Sequence, residues 1–143
     1  MIELITLIKI AIDATLVVLA LLVQRIIYPS FEKIFSDHFL SWLDTYTNEI
    51  GRIVAPLMLV QLALSSYMLW YYNFSLLNVL IFILVLLTWI DTFARAMPLH
   101  AQIQQIKSID EQKNIARKLV KVNFPRTLIW IAIFALQLYS LAK

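Results

Sequence analysis

Four stretches of this chain, residues 4–27, 53–72, 76–97 and 124–141, are almost continuously apolar. Each is long enough to cross a hydrocarbon core, which takes about 20 helical residues. Lipid cannot hydrate an unpaired backbone group, so a chain with four such runs and no alternating strand pattern folds as membrane-spanning helices. The predicted fold class is all-α: a polytopic membrane four-helix bundle forming one integral membrane domain over residues 1–143. With 62% hydrophobic residues and a single glycine, the composition lies well outside the soluble globular range.

Four crossings place both termini on one side of the membrane. Arg25, Lys33, Arg52, Arg95, Lys107, Lys113, Arg117, Lys118, Lys121 and Arg126 fall at the ends and connections of one face, leaving Lys9 and Lys143 for the other. By the positive-inside rule the charged connections are cytoplasmic and both termini are outside, in a bacterial inner membrane. The first stretch reads as a retained helix and not a signal peptide. Lys9 and Asp13 interrupt it, and no small-residue cleavage site follows Val23-Gln24-Arg25.

The connections differ in character. Tyr71-Tyr72-Asn73-Phe74-Ser75 is uncharged and aromatic, as suits a short outer hairpin at an interfacial belt. After Tyr28 and Pro29, Ser30 can cap an additional amphipathic helix in the first inner connection, with Phe31, Ile34, Phe35, His38, Phe39, Trp42 and Tyr46 recurring at helical steps. Ser108 and Glu111 have capping-box spacing and predict that the last helix starts there. That helix would extend about 50 Å at 1.5 Å per residue, so its first turns project beyond a core of about 30 Å. Pro56 and Pro125 each remove a backbone hydrogen bond inside a span.

Polar side chains inside spans cost at least about 2.5 kcal/mol when charged and central, so they must face the bundle interior or a partner. Thr6, Lys9, Asp13, Ala20 and Gln24 share one stripe of the first helix. Met58, Gln61 and Ser65 do so on the second, and Thr88, Asp91, Thr92 and Arg95 on the third. The fourth contributes Asn123, Arg126, Thr127, Trp130 and Gln137. These stripes predict a polar-floored pocket opening toward the charged end, with Asp91 and either Arg126 or Arg95 as its charged pair. Gln61, Trp89, Asp91, Arg95 and Trp130 are its candidate substrate-binding residues. Simpler readings stand beside this one. Lys9 and Asp13, four apart, make a local ion pair with Lys9 snorkelling outward. Asp91 and Arg95 have the same spacing and neutralise each other equally well. Arg126 suits a phosphate-level anchor, the tryptophans suit belt or packing positions, and Gln61 and Gln137 suit interhelical hydrogen bonds.

The chain has no cysteine, which excludes disulfides, thiolate metal sites and a cysteine nucleophile, and its net charge of +3 is too modest to indicate a nucleic acid partner. His38 and His100 both belong to the charged side and are the weak metal candidates, since two imidazoles can hold a haem iron. Without a third histidine, a zinc or non-haem iron site would need Asp37, Glu49 or Asp91, and the expectation is that no cofactor is bound.

Pro98-Leu99-His100, followed by Asn123-Phe124-Pro125-Arg126 and Thr127 at the entry to the last span, resembles the small four-helix membrane family that includes anthrone oxygenases. Members of that family tend to carry Pro-x-Asn after the third span and Asn-x-x-Arg entering the fourth. Here His100 stands where asparagine is usual, and no tryptophan precedes Asn123. The resemblance covers the four-span layout and about 40 C-terminal residues in motif detail. It implies oxidation of a hydrophobic aromatic substrate by molecular oxygen. It also implies a pocket lined by His100, Asn123 and Arg126, with the last two holding a phenolate-like oxygen and His100 removing a proton.

Three functions follow as expectations. The first is a small membrane oxidoreductase acting on a hydrophobic small molecule, which requires His100, Asn123 and Arg126 to converge. The second is a haem- or quinone-binding electron-transfer module using His38 and His100. The third is a non-enzymatic membrane module, an assembly partner or lipid-binding protein, whose polar residues serve only packing. The lipid bilayer is the partner common to all three, and an outer helix face could also pair two copies.

Overall fold

The computed structural model of the chain describes residues 1–31, 39–105 and 108–142. Every regular element in them is helical. The chain runs through α1 (Ile2–Leu22), a π-helical turn (Val23–Ile27), α2 (Tyr28–Ser30), α3 (Phe39–Tyr71), α4 (Leu76–Asp91), a second π-helical turn (Thr92–Ala96), α5 (Met97–Gln105) and α6 (Ile109–Leu141). Each π turn joins its flanking helices without a break. Four rods result, Ile2–Ser30, Ser41–Tyr71, Leu76–Ile103 and Ile109–Leu141, all long and apolar enough to cross a membrane.

The rods form a ring in which α1 packs on α3 and α6, and α4 packs on the same two helices. Consecutive helices therefore alternate in direction around a common core. Residues 72–75 close the hairpin between α3 and α4 at one end. Asn73 (φ 46°) and Phe74 (φ 55°) both adopt the left-handed conformation there, and Phe74 N–H donates to the Leu69 carbonyl at 2.9 Å. The opposite end holds both π turns, α2, α5 and the basic first half of α6, and is called the charged end below.

The distribution of side chains is inverted relative to a soluble bundle. Leu4, Ile53, Leu59, Ile83, Ile90 and Leu128 are exposed, whereas Lys9, Asp13, Gln61, Thr88, Asp91, Asn123 and Arg126 are buried. An apolar exterior gains nothing from helix association in lipid. Cohesion comes instead from packing and interhelical hydrogen bonds. Leu16, Met58, Ile81, Val85 and Ile133 pack the middle of the bundle, and Tyr28, Phe31, Leu43, Ile103 and Leu119 form a second cluster at the charged end.

Several expectations change in detail. Lys9 does not snorkel outward: it is fully buried, its Nζ donates to Asp13 Oδ2 at 2.6 Å, and Gln61 Nε2 on α3 donates to Asp13 Oδ1 at 2.8 Å. An acid one turn away and an amide from the facing helix satisfy the pair internally, so the ammonium need not reach water. Trp42 and Tyr46, expected on a separate amphipathic helix, occupy the first turns of α3, continuous with the second span. Ser30 ends α2 instead of capping a new helix, its hydroxyl donating to the Ile26 carbonyl at 2.6 Å. His38, with residues 32–37, lies outside the described residues. The last helix begins after Ser108 as the spacing indicates, but Ser108 makes no side-chain capping hydrogen bond.

Candidate functional site

Two prolines explain the local geometry of the charged end. Pro29 and Pro98 each lie two residues beyond a π turn. Proline lacks an N–H, and its ring collides with the carbonyl four residues back in a regular α-helix. In both places the helix widens just before the proline, with Tyr28 N–H donating to the Val23 carbonyl and Met97 N–H to that of Thr92, five residues apart. The extra residue shifts the helical phase. Along α1 the buried positions Thr6, Lys9, Asp13, Leu16, Ala20 and Val23 advance by three or four, but the next, Tyr28, comes after five. On the third rod Thr88 and Asp91 are likewise followed, five residues on, by buried Ala96.

This phase shift decides where several expected site residues lie. Arg95 leaves the inward face and is 49% exposed, although it still pairs with Asp91, which stays buried. Asp91 is thus held by Arg95 and forms no ion pair with Arg126, and its Oδ2 has no hydrogen-bond partner among the described residues. Tyr28 and His100, which follow the two turns, meet across the bundle with Tyr28 Oη and His100 Nε2 at 2.9 Å. If Nε2 accepts, Nδ1 carries the ring proton. If Nε2 donates, Nδ1 keeps a free lone pair. In either tautomer Nδ1 is buried without a hydrogen-bond partner.

A connected polar network locks α6 to both π turns. Gln24 Nε2 donates to the Val120 carbonyl at 3.1 Å, and its Oε1 accepts from Asn123 Nδ2 at 2.8 Å. Asn123 Nδ2 also reaches Thr127 Oγ1 at 3.2 Å, while Asn123 Oδ1 accepts from Arg126 Nε at 3.2 Å and Nη2 at 2.5 Å. Arg126 Nη1 donates to Thr92 Oγ1 at 3.4 Å, its guanidinium carbon lies 5.5 Å from the Trp130 ring centroid, and it also interacts with the Tyr28 hydroxyl. Both amide hydrogens and both carbonyl lone pairs of Asn123 are occupied. Three of the five guanidinium N–H groups are used in the bonds to Asn123 and Thr92, and the contact with the Tyr28 hydroxyl draws on the rest.

The network borders a cavity of about 640 Å³, within the range of pockets that enclose one small ligand. Its wall includes Leu16, Ala20, Val23 and Tyr28 from the first rod, Tyr46, Val54 and Met58 from α3, Trp89, Thr92, Phe93 and His100 from the third rod, and Asn123, Arg126 and Trp130 from α6. Phe93 and Met97, both more than half exposed, carry the wall out to the lipid-facing surface. His100, Asn123 and Arg126 therefore meet at one cavity, together with Trp89 and Trp130. Gln61, Asp91 and Arg95 are not in its wall: Gln61 is engaged with Asp13, and Asp91 with Arg95. Tyr28 is the wall residue that sequence reasoning did not single out. Its only signal was position, just before Pro29 at the end of a buried stripe.

Among the described residues, no three His, Asp or Glu side chains cluster as a metal site. The two-histidine haem arrangement has His38 outside the described residues and His100 Nε2 bound to Tyr28. No family model, curated protein or solved structure matches this chain.

Proposed function

We propose that the chain is an inner-membrane protein, with both termini outside and its charged connections in the cytoplasm, that admits a hydrophobic, oxygen-bearing small molecule to the cavity and acts on it as a small oxidoreductase. The supporting observation is the convergence of His100 and Arg126 on one largely apolar cavity beside the lipid-facing surface. With Nε2 donating to Tyr28, His100 Nδ1 is a base suited to removing a proton from an activated carbon or hydroxyl. The Arg126 guanidinium then stabilises the charge that develops on the substrate oxygen. Asn123, fully engaged by its neighbours, holds the guanidinium and does not itself bind substrate. The resemblance to the anthrone oxygenase family adds molecular oxygen as the oxidant and an aromatic ketone as the substrate class.

Incubating the purified protein with an anthrone in air tests this. Conversion to the corresponding quinone is expected, at least a hundredfold slower in His100→Ala, in keeping with about 10²–10⁴-fold for a lost general base. If wild type and variant consume the substrate at the same background rate, the catalytic reading is wrong. The remaining reading, a non-enzymatic lipid-binding module, is favoured by one feature: the wall reaches the lipid face through Phe93 and Met97.

A further inference from the structure

Among the described residues the charges of the cavity wall do not balance: it contains two cationic side chains, Arg52 and Arg126, and no aspartate or glutamate. Arg52 sits exposed in an ion pair with Glu49 at 2.5 Å. Arg126 is buried, and its hydrogen bonds go to neutral acceptors on Asn123 and Thr92. None of the ion pairs among the described residues includes it, and the nearby buried acid Asp91 is held by Arg95. A buried guanidinium without a counter-ion is costly unless something else supplies the negative charge. Arg126 is thus the buried cationic donor of a wall that is otherwise largely apolar.

We infer that the ligand of this cavity is an anionic amphiphile, carrying one carboxylate or comparable oxyanion against Arg126 and a single apolar body along the wall, and that it enters from the lipid past Phe93 and Met97. This rests on the cavity being a ligand site, as the proposed function requires, but not on any catalytic step. A guanidinium presents parallel N–H groups to an oxyanion, and a charge-assisted bond in a water-poor site is far stronger than a neutral one. A neutral ester of the same shape gains no such charge-assisted bond.

The test uses full-length protein in phosphatidylcholine nanodiscs with Trp42→Phe and Trp70→Phe, so that only Trp89 and Trp130 report. Dibromostearic acid, ionised in alkaline buffer, and its methyl ester are titrated as quenchers. Saturable quenching by the acid, at least about tenfold tighter than by the ester, is expected. Arg126→Gln should erase that preference, and Arg126→Lys should keep part of it. Equal binding of acid and ester by the wild type would overturn the inference while leaving the cavity a ligand site, and this comparison needs no variant to fold. Absence of saturable quenching by either probe would overturn both. Exchanging the bilayer for phosphatidylglycerol separates two sources of the anion. Loss of acid binding identifies a membrane headgroup as the occupant, and unchanged binding identifies a dispersed acid.

Discussion

At Asp13 two interactions meet that would each be weak on a surface, a one-turn ion pair to Lys9 and an amide hydrogen bond from Gln61 on the facing helix. Both charged groups are buried, so removing one strands the other. Asp13→Leu is expected to lower unfolding stability in detergent by about 3–5 kcal/mol, whereas Lys9→Met combined with Asp13→Leu should recover most of it, because breaking a buried pair costs more than deleting it. A chemical denaturation series on the three proteins measures this, and equal losses in the single and double variants would contradict it. The spacing of Lys9 and Asp13 announced their pairing. Its direction could not be read, because four-residue spacing is the same whether the pair faces lipid, headgroups or a neighbour. Gln61 was legible as interhelical glue but not as a bond to Asp13, since a single helix gives no register against the next.

The π turns are the elements that most determine the site, and they explain what the pattern of the sequence missed. Hydropathy located all four rods, since runs of about 20 apolar residues have few alternatives. A regular three- and four-residue periodicity placed Arg95 beside Asp91 on the inward face, and it failed there because the turn before Pro98 inserts one residue into the phase. Asn123 and Arg126 were recoverable because polar groups at the entry to an apolar span must turn inward, whereas His100, beyond the third span, was placed in the pocket only by the family resemblance. Tyr28 was hidden by the first π turn and by its amphipathic character. Deleting the exposed Ala94 should close the second π turn to an α turn and bring Asp91 and Ala96 to four-residue spacing, so that His100 still faces Tyr28. Saturable quenching by dibromostearate should then be retained, and its loss would show that the wide turn itself shapes the cavity.

For the molecule as a whole, two α-helices of 33 residues define its length, each about 50 Å at 1.5 Å per residue and so longer than the lipid core. The excess carries charge at one end only, with Lys113, Arg117, Lys118 and Lys121 on the first half of α6. Because the chain has no cysteine, its sidedness can be tested without background. Asn73→Cys should react with an impermeant maleimide in intact cells and Asp110→Cys only after permeabilisation, and the reverse pattern would invert the proposed orientation. The two buried cationic centres also differ in a way that bears on biosynthesis. A central charge costs about 2.5–3.5 kcal/mol to insert, and α1 carries its own neutralising partner, so it can leave the translocon before α3, α4 and α6 are made. Among the described residues no acid pairs with Arg126. It lies on α6, whose entry comes after Gln24 and Thr92 are already in the membrane to receive Asn123 and the guanidinium. Nascent chains arrested before α6 should therefore be stably inserted yet open on one side, and delivery of α6 is the step that closes the bundle around its cavity.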